Sequence, residues 1–318
     1  MEISYIGISM FLVFLAYIIL FKKKKTIIVS DIICYPIKSC QGVHLESAEI
    51  GEFGFLMDRE WSIATYNDEI IDCAKDIRIS QLKPSFLYDE FDKPKTLVLS
   101  FAGFDDFHLE ITDNKNVFFE FTLAETKGLA ADEGDEVSKW LSHVFNAQYR
   151  LIRLARGRQL NQHPDFKNVL PDEFKLNFAS KAQFLIISKE SFEAFHRTLS
   201  KEKQEDVNMA NFRPSIVVEN CSSFYEDNWK NFDIDGVRFH GIRLCGRCKK
   251  TTIIEKTLQF DPNYEPVNSL RKFHGNETRG FLGLLALKLS PGTIRKNGIV
   301  NISSFVKRDR TLEVYPFS

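Results

Sequence analysis

The chain has 318 residues, 44% hydrophobic and 27% charged, enough for one or two domains that each bury a core. Its 42 lysines and arginines against 43 aspartates and glutamates exclude a global field that would draw it to nucleic acid or to acidic partners. Any anion site must be a local arrangement of cations.

At the N-terminus, Ile3 to Phe21 carries no charge and runs into Lys22, Lys23, Lys24 and Lys25. As a helix at ~1.5 Å per residue this run is about 28 Å long, close to the ~30 Å of a bilayer's hydrocarbon core. Glu2 before it and lysines after it fit a signal anchor better than a cleaved leader, and the positive-inside tendency leaves the chain after Lys25 on the cytosolic side. The expectation is a membrane-anchoring helix over residues 1–25, in the mitochondrial outer membrane or the endoplasmic reticulum. A cytosolic domain keeps Cys34, Cys40, Cys73, Cys221, Cys245 and Cys248 reduced, which directs attention to metal, redox and packing roles. Cys34, Cys73 and Cys221 are expected to be small buried hydrophobes.

From Thr26 to about Ala155 short apolar alternations such as "TLVLSFAGFDDFHLEI" and "NVFFEFTLAE" predict a mostly β region. One helix interrupts it, where Val137, Trp140, Leu141, Val144 and Phe145 form a stripe after the acidic run Asp132 to Glu136. The strand-like "YRLIRLA" follows. Residues 156–175 turn polar, with Gly157, Pro164 and Pro171, and read as a linker. Next come a buried strand "FLIIS", a helix with Phe192, Phe195 and Leu199 on one side, and a strand "SIVV". The stretch "FDIDGVRFHGI" alternates around Asp235-Gly236 and predicts a hairpin; "GLLALKL" and "IVNISS" return to strand. The expected organisation is an anchor at 1–25, a β-rich domain at 26–155, a linker at 156–175 and a second β-rich domain with helices at 176–318.

Four stretches could carry chemistry. "RLCGRCKKTT" places Cys245 and Cys248 three residues apart among Arg243, Arg247, Lys249 and Lys250. Structural zinc needs four ligands, of which His240, Cys34 and Cys40 are the further candidates; a thioredoxin-type pair belongs at a helix N-terminus early in a βαβ unit, not after a hairpin. A thiolate metal ligand in a cationic pocket and a solvated basic turn both remain open. "YPIKSC" joins Lys38, Ser39 and the N–H groups of a turn, a set suited to phosphate. "FLMDREW" offers Arg59, which either pairs with Asp58 or another acid or projects into an anion pocket, and "NFRPSIVV" offers Arg213 at the entrance to a strand.

Together "YPIKSC", "DREW", "NFRPSIVV" with "YEDNW", and "CGRC" with "TT" resemble the molybdenum-cofactor sulfurase C-terminal (MOSC) domain family, and in particular its amidoxime-reducing members, from about residue 27 to about residue 290. The resemblance implies an α+β, mainly β fold in which the anchor helix precedes a MOSC N-terminal β-barrel-like lobe and a MOSC β-barrel lobe with flanking helices, the cofactor lying between the lobes. It implies Cys248 as the molybdenum ligand and catalytic centre, with Lys38, Ser39, Arg59, Arg213, Ser215 and Arg247 at cofactor-binding positions. The implied activity is reduction of N-hydroxylated compounds by a molybdenum-molybdopterin cofactor. Its electrons would come from NADH through cytochrome b5 reductase and cytochrome b5. Sulfur transfer in cofactor maturation and a non-catalytic membrane-anchored module are the alternatives. Departures stand at Ser180, where the family carries an Asp and Lys181 follows, and at Lys75, where it carries an Arg.

Overall fold

The computed structural model describes residues 26–112, 118–162, 166, 170 and 174–308. Its main element is an eight-stranded sheet in the order Val43–Leu45, Ile28–Cys34, Ile216–Glu219, Phe184–Ser188, Phe281–Lys288, Val237–Gly246, Trp229–Ile234, Val300–Phe305. Phe184–Ser188 and Ile216–Glu219 run parallel, and the helix Lys189–His196 lies in the crossover between them. The strand "FLIIS" is apolar from Phe184 to Ile187 because both its faces are covered. Phe184 and Ile186 enter one core with Phe55, Trp229, Phe232 and Phe239; Leu185 and Ile187 enter another with Phe195 and Phe212. The neighbouring strand does the same, sending Leu284 and Ala286 to the first core and Leu285 and Leu287 to the second. The hairpin turn sits at Asp235-Gly236, whose φ values of 51° and 81° match the doubly left-handed turn that follows strand twist.

A second, five-stranded sheet orders Phe118–Leu123, Thr126–Asp132, Tyr149–Arg156, Trp61–Thr65 and Ile70–Ile71. The predicted helix spans Asp135–Phe145, with Asp135 and Glu136 in its first turn complementing the helix dipole and Asn146 closing it in a left-handed conformation. Its buried Val137, Leu141, Val144 and Phe145 pack on Trp61, Ile63 and Leu151, and a three-stranded sheet of Lys83–Tyr88, Pro94–Ser100 and Phe107–Glu110 adds Leu97, Leu99 and Leu109 to that core.

Sheet membership does not follow chain order. Ile28–Cys34 joins the eight-stranded sheet through Ile216–Glu219, and Ser47–Gly51 pairs with Gly292–Arg295. The chain therefore leaves the large sheet at Tyr35 and crosses toward the five-stranded one, with "YPIKSC" at the crossing.

The mainly β character and the flanking helices are as expected, but the fold class needs correction where it placed a membrane-spanning helix ahead of the lobes. Among the described residues no helix is long and apolar enough to cross a membrane. Residues 1–25, on which that helix was placed, lie outside the described residues. The eight-stranded sheet curls back on itself: Ile28 and Ile299 bridge antiparallel, and Val300 N–H donates to Ile27 O at 2.9 Å, so the segment entering Val300–Phe305 meets Ile28–Cys34.

The first core makes a direct prediction. Phe184 is 1% exposed and meets Phe55 and Phe239 edge to face at ring centroid distances of 5.1 and 5.3 Å. Phe184→Ala leaves a cavity between both layers and lowers the stability to urea by about 3–5 kcal/mol; a loss below ~1 kcal/mol would contradict the packing described.

Candidate active site

The crossing segment is laced to "DREW" through the backbone. Lys38 N–H donates to Trp61 O at 2.9 Å, Trp61 N–H to Pro36 O at 3.1 Å, and Arg59 N–H to Tyr35 O at 2.7 Å. The buried Asp58 carboxylate accepts from Tyr35 N–H at 2.8 Å and from Arg59 Nη1 at 2.5 Å. Arg213 arrives from the other lobe at the end of the turn Met209–Phe212, whose cap residue Asn208 exchanges hydrogen bonds with Asn211. Its Nη1 donates to Cys40 O at 2.5 Å. The guanidiniums of Arg59 and Arg213 both lie against the Tyr35 ring, 4.5 and 4.2 Å from its centroid.

Ser39, Arg59 and Arg213 have φ values of 69°, 46° and 54°. A non-glycine residue in this left-handed region costs roughly 1–2 kcal/mol, and such strain clusters where function requires a set geometry.

A segment that sequence reading passed over forms the floor. Phe178 O accepts from Lys38 Nζ at 2.9 Å, and Phe178 N–H donates to Arg59 O at 3.1 Å. Arg158, 1% exposed, donates from Nε to Asn177 O at 3.0 Å, from Nη1 to Leu123 O at 3.0 Å and Thr126 Oγ1 at 2.7 Å, and from Nη2 to Ala179 O. With no carboxylate among these partners, burial lowers its pKa to about 10. The local sequence gives no sign of this role, since carbonyls leave no residue signature.

The thiol turn follows a register shift in the pairing of Val237–Gly246 with Phe281–Lys288, between Leu244 and Gly246. Such bulges re-aim side chains beside functional sites. Arg247 N–H then donates to Gly280 O at 2.9 Å, and Cys248 precedes the turn Lys249–Thr252, its carbonyl accepting from Thr251 N–H at 2.9 Å. Cys248 is exposed, whereas Cys245 is half-buried at the edge of the second core. The Arg247 side chain turns away from Cys248, donating to Cys245 Sγ at 2.9 Å and to Phe212 O at 2.7 Å.

All seven sequence-predicted residues, Lys38, Ser39, Arg59, Arg213, Ser215, Arg247 and Cys248, line one cleft of about 550 Å³. Ser215 is 1% exposed and lies 3.4 Å from Arg59 Nη1. Ser180 and Lys181 line the same cleft; Lys75 does not, and pairs instead with Glu69 at 2.8 Å. Lys250, also in the lining, pairs with Asp72 across the lobes. Cys34 and Cys73 are buried as expected, while Cys221 is half-buried with its Sγ 3.8 Å from Glu190. His240 Nδ1 donates to Asn231 Oδ1 at 2.7 Å, and among the described residues no group of three or more His, Cys, Asp or Glu side chains gathers as a metal site.

Cations predominate in the cleft, where Asp31 and Glu255 are the acids among the lining residues and Asp58 pairs with Arg59. Among the described residues Lys38, Arg213 and Arg247 form no ion pair with a carboxylate. Burial and the nearby Lys250 lower the Lys38 pKa to about 7, burial lowers that of Arg213, and burial pushes the Tyr35 hydroxyl up to about 12. Cations held on carbonyls, an aromatic ring and a thiol keep a net positive field, the arrangement that recruits an anion.

Fold and cleft define a mainly β protein of two large sheets with a cationic cleft that holds one exposed thiol. Residues 26–148 match the MOSC N-terminal beta barrel domain and residues 173–301 the MOSC domain. The chain belongs to the MOSC-domain family. It is 26% identical over 259 residues to mitochondrial amidoxime-reducing component 1 of Xenopus laevis, covering 79% of this chain and 72% of that protein. The human amidoxime-reducing component 1 is 25% identical over 251 residues, covering 77% and 71% of the two chains. Molybdenum cofactor sulfurase of Arabidopsis thaliana is 26% identical over 270 residues, which are 80% of this chain and 32% of the sulfurase. The chain thus spans about a third of the sulfurase's length.

Lys38 gives this geometry a pH signature. Between pH ~7 and ~10 the cofactor-free folded state leaves Lys38 neutral while the unfolded chain protonates it, so this residue makes stability rise with pH across that window. Below pH ~7 both states bind the proton and the contribution stays flat. Urea midpoints of wild type should therefore climb relative to Lys38→Met from pH 7 to 10 by about one proton's linkage; parallel profiles would contradict the burial of its ammonium group.

Proposed function

We propose that the chain is a molybdenum-cofactor-dependent oxidoreductase that reduces N-hydroxylated compounds, amidoximes and hydroxylamines, with Cys248 as the thiolate ligand. The observation that carries this reading is the joining, in one cleft, of an exposed thiol with cations that carbonyls rather than carboxylates satisfy. Membership of the MOSC-domain family and relatives named for amidoxime reduction support it.

The residues present fit a phosphate-bearing pterin with a thiolate-bound metal. Arg59 and Arg213 would hold the phosphate through charge-assisted hydrogen bonds, with Lys38, Ser39 and Ser215 lining the same pocket. Lys38, poised near neutrality, would take up a proton as the anion arrives. Arg247 would act through Cys245 and the Phe212 carbonyl, bracing the turn that carries Cys248. When bound, the cofactor supplies the two-electron chemistry by which oxygen leaves the substrate. Ser180 and Lys181 stand at the cleft where the family's Asp would stand, so water would relay protons there. Cytochrome b5 and NADH-cytochrome b5 reductase are the proposed electron donors.

A second reading, sulfur transfer in cofactor maturation, is favoured by the 2.9 Å contact of Arg247 with the Cys245 sulfur, which would stabilise an anionic sulfur there. Turnover separates the two. Protein loaded with molybdenum and supplied with a reduced donor should reduce benzamidoxime, Cys248→Ala should lower the rate at least ~100-fold, and Cys245→Ser should keep most of it. Full turnover by a molybdenum-loaded Cys248→Ala variant would end the reductase reading. Cyanide-labile sulfur without amidoxime turnover would put sulfur transfer in its place.

A further inference from the structure

The cations around Tyr35 do not account for all the positive charge in the cleft. Arg279 also lines it. Two pieces of backbone tie its loop to the thiol turn. In the antiparallel pairing Gly246 faces Phe281, and Arg247 N–H donates to Gly280 O at 2.9 Å. The backbone hydrogen bond from Arg247 to Gly280 thus joins the residue before Cys248 to the residue after Arg279, and both Cys248 and Arg279 line the cleft.

The loop that carries Arg279 is fixed. Gly275 and Gly280 bridge to each other, Asn276 N–H donates to Arg279 O at 2.9 Å, and Asn276 Oδ1 accepts from Arg279 N–H at 2.8 Å. A Cβ at Gly275 would meet Arg279 O at 2.4 Å, and one at Gly280 would meet Arg271 N at 2.7 Å, so this approach to the helix Val267–Phe273 requires glycine at both positions. The Arg279 side chain is half-buried and, among the described residues, makes no ion pair or side-chain hydrogen bond. Arg59 and Arg213 sit at the Tyr35 end of the cleft, Arg247 faces Cys245, and Lys250 is paired with Asp72. Arg243, also in the lining, lies over the Phe166 ring at 5.0 Å, and Arg279 is a further guanidinium of the cleft on the loop tied to the thiol turn.

We propose that Arg279 is a specificity-determining residue that binds an anionic group of the substrate, so that the cleft prefers N-hydroxylated compounds bearing a carboxylate. The inference rests on the reductase reading for the N-hydroxyl group and on the Arg279 geometry for the carboxylate. A planar guanidinium offers a carboxylate two parallel hydrogen bonds, a fit that lysine's single ammonium reproduces only in charge. The reduction consumes two electrons from the donor and two protons and releases the amidine or amine and water; Arg279 orients the substrate and exchanges no proton.

The test compares 4-carboxybenzamidoxime with benzamidoxime on the purified full chain. Binding is read by calorimetry without reductant, so that nothing turns over, and turnover is then read with a reduced donor. Wild type should bind the carboxylate probe about 10- to 100-fold more tightly than the neutral one. Arg279→Gln should remove that preference while leaving the neutral probe within about threefold, and Arg279→Lys should restore part of it. The preference should appear in KM rather than kcat and shrink with added salt. Equal affinity of the two probes in wild type, or a preference that survives Arg279→Gln, would overturn the proposal. A preference present without any turnover upholds the anion subsite while removing the reductase reading; turnover without a preference does the reverse.

Discussion

Two guanidiniums of like charge, Arg59 and Arg213, lie against one tyrosine ring, and much of the molecule serves to keep them there. Asp58 neutralises one of them, and the Tyr35 backbone N–H holds that carboxylate in turn. The second has no acid, only the Cys40 carbonyl and the face of the ring. Cation–π contacts supply about 0.5–2 kcal/mol each, of the same order as the cost of the left-handed backbone at either arginine. The arrangement is close to balanced without a ligand, and an anion that takes the free donors tips it. An anionic cofactor bound here would stabilise the folded chain through mass action as well as supply chemistry.

The same residues join the two lobes. Lys38 reaches from the crossing loop to the Phe178 carbonyl, Arg213 reaches back to Cys40, and Lys250 pairs with Asp72. Arg158 fastens the floor between them by donating to the carbonyls of Asn177 and Ala179. The cleft is therefore a seam built from buried cations and backbone oxygens, and a rigid seam is what a cofactor needs in order to present one face consistently to its substrate.

Sequence reading found the strands well because apolar period and turn residues are local. "FLIIS", the Asp235-Gly236 hairpin and the Val137 to Phe145 stripe all became the elements their patterns predict. The seven candidate residues converge on one cleft because each lies in a short motif with its own backbone constraint. What stayed hidden was non-local. The pairing of Ile28–Cys34 with Ile216–Glu219 depends on residues 187 positions apart, as in the Ser30 to Val217 contact, and no local pattern encodes that. Arg158 read as part of a polar linker because its partners are carbonyls. Tyr35 and Asp58 stood inside quoted motifs, yet their roles follow only from the arginine that arrives out of the other lobe. Arg279 needed the backbone bond between Arg247 and Gly280 to bring its loop to the cleft. The anchor helix, inferred from an apolar run alone, has no counterpart among the described residues.

The central claim is that this cleft is a molybdenum-pterin site. Its most direct test is the molybdenum and pterin content of residues 26–318 purified from a cofactor-competent host, measured by elemental analysis and by fluorescence of the oxidised pterin. Near-stoichiometric amounts of both, falling sharply in Arg213→Ala and with molybdenum lost in Cys248→Ala, are the result this structure predicts. Folded protein carrying neither, from a host that loads a control molybdoenzyme, would contradict it.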